Sequence, residues 1–164
     1  WSPYGEGKLK QEAIAARLQA SGLTVEVCRI ANVYGIKPGG TGRLGLVDRA
    51  IRAALAHEPL TLYVPVDTKR DYVLACDIAR AVVDLSQAVA RTGINLHLMS
   101  SGTSYSIKTV LRYVQHTVGV APSLNFAQKT RNEPATQEFI PTGPDNPVPL
   151  KRGIETLVDL HRGA

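Results

Sequence analysis

KLKQEAIAARLQASGLTVEVCRI, residues 8–30, decides the fold. Its first half sets Leu9, Ala13, Ile14, Ala16, Leu18 and Ala20 on a small-residue apolar face at helical spacing. Ser21-Gly22 ends that helix, since glycine enters the left-handed conformation at a helix terminus without steric cost. LTVEVCRI (23–30) is β-branched and reads as a buried strand. Upstream, Ser2-Pro3 is a helix start, because proline is tolerated in the first turn. A helix leading straight into a buried strand is the repeating unit of α/β proteins.

The same alternation continues downstream. Residues 32–42 form a glycine-rich loop, 44–57 a helix closed by Pro59, and 60–64 a short strand. Residues 70–75 are extended, and a helix runs from Asp77, which would cap it, to about Ala90. A strand covers 94–99, a turn 100–104, and a helix 107–118, with Val110, Leu111, Tyr113 and Val114 facing the core. From Pro122 to Pro149 the chain is proline-rich and irregular, with one strand at 124–127, and 154–161 is a short closing helix. The expectation is therefore an α/β fold with parallel pairing, though three or four strands are few for such a sheet.

At 164 residues the chain is one domain by size, and its apolar share of 44% is too high for disorder. Apolar runs are short and interrupted, far below the ~20 residues of a membrane span, and no signal peptide is visible. A cytoplasmic protein with two buried, reduced thiols, Cys28 and Cys76, is expected. The net charge of +5 is spread along the chain, without the signatures of nucleic-acid binding. A modest basic excess suits an anionic small substrate instead. His57, His97, His116 and His161 share no spacing and read as solvated or packing residues.

The chemistry begins at Tyr4-Gly5-Glu6-Gly7-Lys8. Residues four apart share a helix face, so the phenol of Tyr4 and the ammonium of Lys8 can point into one site. A neighbouring cation favours the phenolate, which makes tyrosine a general acid/base for alcohols and carbonyls. Gly5 and Gly7 each cost about 1 kcal/mol against alanine inside a helix, so this turn is expected to be loosened. The glycines Gly35, Gly39, Gly40 and Gly42 lack the Gly-Lys-Ser/Thr ending of a phosphate-binding loop.

Further elements follow in order. Arg29-Ile30-Ala31-Asn32-Val33-Tyr34-Gly35 closes the first strand, and Leu60-Thr61-Leu62-Tyr63-Val64 leads into Arg70-Asp71-Tyr72-Val73. Asp77-Ile78-Ala79-Arg80-Ala81-Val82 comes next, then Asn95-Leu96-His97-Leu98-Met99-Ser100-Ser101-Gly102 entering a helix. In this order and spacing the chain resembles the C-terminal half of the extended short-chain dehydrogenase/reductases. The nearest branch is the NAD-dependent nucleotide-sugar epimerases and dehydratases, and the resemblance covers nearly the whole chain.

That resemblance implies the C-terminal part of a Rossmann-type fold, residues 1–164, carrying the catalytic helix and the substrate-binding portion. It implies Tyr4 as the catalytic acid/base and Lys8 as its partner, both also touching the NAD (or NADP) cofactor, with Ile30 against the nicotinamide. Asn32 and Arg70 would hold the diphosphate of a nucleotide-sugar substrate, Tyr63 would wall the base pocket, and Arg131 would be a second phosphate-binding arginine. The parent enzyme would be a homodimer. Pro65-Val66-Asp67 stands where the family often has a Gly-Asp-Gly turn, and Gly7 where it has Ser or Thr. The family's glycine-rich dinucleotide fingerprint is not in this sequence, so the chain is expected to be a fragment that is inactive alone and associates through uncovered apolar faces. A reductase or decarboxylase of the same superfamily, or a non-catalytic NAD(P)- or sugar-nucleotide-binding module, are the alternative readings. The plainer roles are a surface ion pair with Asp67 or Asp71 for Arg70, and a turn residue for Asn32.

Overall fold

The computed structural model describes residues 3–35, 44–88, 92–127, 136 and 139–163. The chain opens with α1 (Pro3–Gln19), whose proline sits at the first helical position, where no backbone N–H is required. Gly5 and Gly7 do not interrupt it. Then come β1 (Val25–Ile30), β2 (Asn32–Tyr34), α2 (Leu46–Ala56), β3 (Leu60–Leu62) and β4 (Lys69–Leu74). The order continues with α3 (Ala75–Gln87), β5 (Ile94–Met99), β6 (Ser104–Ser106), α4 (Ile107–Val118), β7 (Leu124–Phe126) and α5 (Leu150–Arg162).

The α/β class and the parallel pairing hold, but the strand count does not: seven short strands form three small sheets among the described residues. β1 pairs in parallel with β5, β2 with β4, and β3 with β7, while β6 runs antiparallel on β4. Two of the extra strands fall where glycine, serine and asparagine argue for loops. Asn32–Tyr34 pairs because Tyr34 must enter the core, and Ser104–Ser106 pairs on its way into α4. The strand expected at 124–127 is β7. The last helix starts at Leu150, four residues earlier than its periodicity suggests, because Leu150 is itself fully buried.

The core lies between α2, α4 and α5, where Tyr34, Ile51, Val110, Val114, Leu150, Ile154 and Val158 are fully buried. α4 is well specified locally. Ser106 Oγ accepts from Thr109 N at 3.1 Å, and Gly119, at φ 96°, closes the helix. Gly153 is required by packing: a Cβ there would meet the Tyr34 ring, 2.8 Å from Cζ. A smaller cluster of Val73, Ile78 and Met99 joins α3 to β4 and β5.

Two expectations are corrected here. Cys76 is exposed and Cys28 half-buried, both as free thiols, because Cys76 sits on the outward side of the first turn of α3. Asp77 does not cap α3, which begins two residues earlier. Its side chain is only 2% exposed, its Oδ2 accepts from the Val148 N–H at 2.8 Å, and its Oδ1 pairs with Arg80. It thus fastens the approach to α5 onto α3, a contact across 71 positions that no local rule reveals. No helix among the described residues is long and apolar enough to cross a membrane.

Candidate functional site

Three chain crossings build one cavity of about 320 Å³. β2 contributes Asn32, β3 and its exit contribute Tyr63, and β4 contributes Arg70. Three of the four expected substrate-binding residues, Asn32, Tyr63 and Arg70, separated by up to 38 positions, are thus brought together. β2 and β4 place Asn32 opposite Tyr72, next to Arg70, and the Asn32 side-chain amide donates to the Asp71 carbonyl at 2.9 Å. That bond fixes the amide at the cavity edge, so Asn32 is a strand residue and not a turn residue.

Arg70 is not at the surface either. It is 8% exposed, and its Nη1 donates to the Lys69 carbonyl at 2.8 Å. A buried guanidinium lining a cavity is a planar donor suited to a diphosphate. Its neighbour Asp71 turns the other way, accepting from the Ser101 N–H at 2.8 Å. Tyr72, on the same strand, is buried, and burial pushes its phenol up to about 12, with the Arg70 charge opposing. It stays a neutral wall.

The opposite wall is aromatic. Tyr63 is 55% exposed and borders both this cavity and an adjoining apolar groove of Leu62, Val64, Pro65, Val66, Phe126 and Ala127. A flat apolar surface beside a cationic recess is what a nucleotide base and its phosphates require.

Sequence reasoning missed Asp48. It is buried in α2, and its carboxylate accepts from the Gly35 N–H at 3.1 Å. Gly35 has φ 84°, so the bond pins the left-handed exit of β2 and with it the wall that carries Asn32. The available signal was an acidic residue in the first turn of the helix that follows the glycine-rich loop.

Tyr4 and Lys8 lie elsewhere. They share one face of α1, with the Lys8 ammonium 5.6 Å from the centre of the Tyr4 ring, and Tyr4 is 72% exposed. Lys8 also donates to Gln11 Oε1 at 3.1 Å. Neither residue lines the cavity, nor does Ile30, which is exposed at the end of β1. α1 is tied to β1 by a two-point pair in which Arg29 meets Glu12 at 2.7 and 2.9 Å. The Arg29 guanidinium holds the Glu12 carboxyl below its usual range. Glu12 is one turn beyond Lys8 and Arg29 adjoins Ile30, so this pair keeps the tyrosine–lysine turn and the strand end in one unit.

Arg131 lies outside the described residues, as does most of the glycine-rich loop. A second cavity, of about 420 Å³, opens between α3 and residues 142–145 and gathers none of the expected site residues.

The family model for the NAD dependent epimerase/dehydratase family matches residues 1–105. The structure of MoeE5 in complex with UDP-glucuronic acid and NAD superposes with a TM-score of 0.81 at 24% identity, covering 99% of this chain and 56% of that one. UDP-glucose 4-epimerase of Thermotoga maritima, solved with UDP-glucose, gives 0.85 at 21% identity, with 99% and 54% covered. UDP-glucose 4-epimerase of Thermus thermophilus, in complex with NAD, gives 0.78 at 25%, with 94% and 51% covered. The chain spans about half the length of the solved structures it matches.

Proposed function

We propose that this chain, which belongs to the NAD-dependent epimerase/dehydratase family, is the substrate-holding and proton-transferring part of a nucleotide-sugar epimerase or dehydratase. The observation that carries the reading is the convergence of Asn32, Tyr63 and Arg70 on one cavity. A nucleoside diphosphate sugar would lay its phosphates against Arg70 and Asn32 and its base against Tyr63. Buried Arg70 has little freedom to lose on binding, so it serves as a fixed clamp. The solved structures with UDP-glucose and UDP-glucuronic acid support the same substrate class.

On the other side, Tyr4 would take the proton from a sugar hydroxyl and return it, with Lys8 supplying the positive charge beside the ring. Tyr4, Lys8 and Ile30 would hold the nicotinamide end of NAD, which when bound accepts a hydride from the sugar and gives it back. Lys8 would orient the ribose, and Ile30 would exclude water from the ring. The cavity residues keep the sugar attached while it turns. The working enzyme would be a cytoplasmic homodimer in which a dinucleotide-binding half accompanies this chain.

The test is turnover of UDP-sugars by the full-length protein with NAD. Tyr4→Phe should lower kcat by about 100-fold or more with substrate binding retained, as expected for loss of a general acid/base. Arg70→Ala should weaken substrate binding first. Undiminished turnover in Tyr4→Phe, or no affinity for any nucleoside diphosphate sugar, would overturn the reading.

A further inference from the structure

The substrate cavity carries a cation to which the reading above gives no task. Arg49 reaches from α2 across to β3, where its Nη2 donates to the Thr61 carbonyl. Its Cζ lies 5.9 Å from the centre of the Tyr63 ring, and the residue lines the cavity with Asn32 and Arg70. Thr61 takes one of the five guanidinium donors, and the others have no partner among the described residues.

We propose that Arg49 selects the nucleobase, donating from its free edge to a ring carbonyl of a base stacked beside Tyr63. The proposal rests on the nucleotide-sugar reading of this cavity. The two walls divide the labour. Asn32 and Arg70 stand on β2 and β4, whereas Arg49, Thr61 and Tyr63 belong to α2 and to β3 and its exit. The second wall continues into the apolar groove that includes Val64 and Phe126. A phosphate gains nothing from an aromatic and apolar surface, while a base gains a stacking face there and a donor at its edge.

Arg49 is also held in position. The Thr61 bond and the Tyr63 ring fix the guanidinium at two points, so its plane is set before a ligand arrives. Guanidinium has donors only, so it donates to a carbonyl and opposes an amino group at the same place. The chemistry it recognises is a base with an oxo group where cytosine and adenine carry their exocyclic amino group, and uracil, thymine and guanine are the sources.

The experiment is calorimetric titration of the full-length protein with UDP, dTDP, GDP, CDP, ADP and inorganic pyrophosphate. At least one oxo-base diphosphate should bind about tenfold or more tightly than CDP and ADP, and which one it is identifies the source. Arg49→Met should erase that gap and leave pyrophosphate affinity unchanged. Arg49→Lys, which keeps the charge without the planar fork, should recover only part of the gap, and decides the matter if the methionine variant does not fold. A gap that survives both substitutions overturns the proposal. So does an equal loss of pyrophosphate affinity, which would make Arg49 a phosphate ligand. Binding of pyrophosphate and all five nucleotides with equal affinity refutes the role of Arg49 while leaving the substrate reading intact. Binding of none refutes the substrate reading, and the proposal with it.

Discussion

α1 and α2 make a direct comparison. The first has 17 residues and buries none; the second has 11 and buries six, among them Val47, Ala50 and Ile51 at full depth. Around α2 the chain supplies its own cover, because α4 and α5 bring Val110, Val114, Ile154 and Val158 against it. Around α1 it does not. Ile14 and Leu18 on the helix, Ile94 and Leu96 on β5, and Val82 and Val83 on α3 are all exposed. Burial, more than propensity, stabilises a helix in a folded protein. One part of this molecule is therefore held by packing. The other is held by the β1–β5 ladder and polar pairs such as Arg29–Glu12.

The sharpest way to break that comparison is a matched truncation. Ile154→Ala, at a site with no exposure, should cost about 3 kcal/mol in chemical denaturation. Ile14→Ala, on the open face of α1, should change stability by less than about 0.5 kcal/mol. Equal losses would show that α1 is packed against something in solution.

That outcome connects to a second expectation. Open apolar surface of this extent favours association, so this 164-residue chain should sediment as a concentration-dependent oligomer. Replacing Ile14 and Leu18 by aspartate should return it toward monomer. A stable monomer of the unmodified chain at high concentration would refute the idea.

The smallest effect concerns the polar ties of the open part. Glu26 Oε2 meets His97 Nε2 at 2.6 Å and its Oε1 accepts from Asn95 at 2.8 Å, joining β1 to β5. The His97 hydrogen bond leads in lowering the Glu26 carboxyl from its ordinary value of 4.5, with burial opposing and Asn95 assisting. A depressed carboxylate stabilises the fold above its unfolded value, and that contribution fades as pH falls through the lower, folded one. Stability should therefore drop slightly below about pH 4.5, and Glu26→Gln should remove that part of the acid dependence. Because the pair is open to solvent, the change should be a fraction of a kcal/mol. An unchanged acid limb in Glu26→Gln would show that the pair is spent in solvent.

Much of the fold was legible because periodicity and punctuation are local. Ser106 and Gly119 bracket α4 within their own neighbourhoods, and the β-branched run before Arg29 could hardly be anything but a strand. The misreadings share a cause. Asn32–Tyr34 looks like a loop until Tyr34 is needed in the core, and Asp77 looks like a cap until Val148 arrives with an N–H to satisfy. In both cases the deciding partner lies far away in the chain.

The residue types of the candidate site were in the sequence from the start. The Tyr4–Lys8 spacing puts both side chains on one helix face whatever surrounds them, and the order of motifs from Arg29 to Gly102 is written in the chain. Only the tertiary structure decided that Arg70 is buried, that Asn32 and Tyr63 share its cavity, and that Arg49 joins them from a helix the motif pattern does not mark. Sequence spacing fixes geometry over one or two turns. Walls built from separate strands are set by how the core closes, and here Tyr34, Ile51 and Ile154 close it.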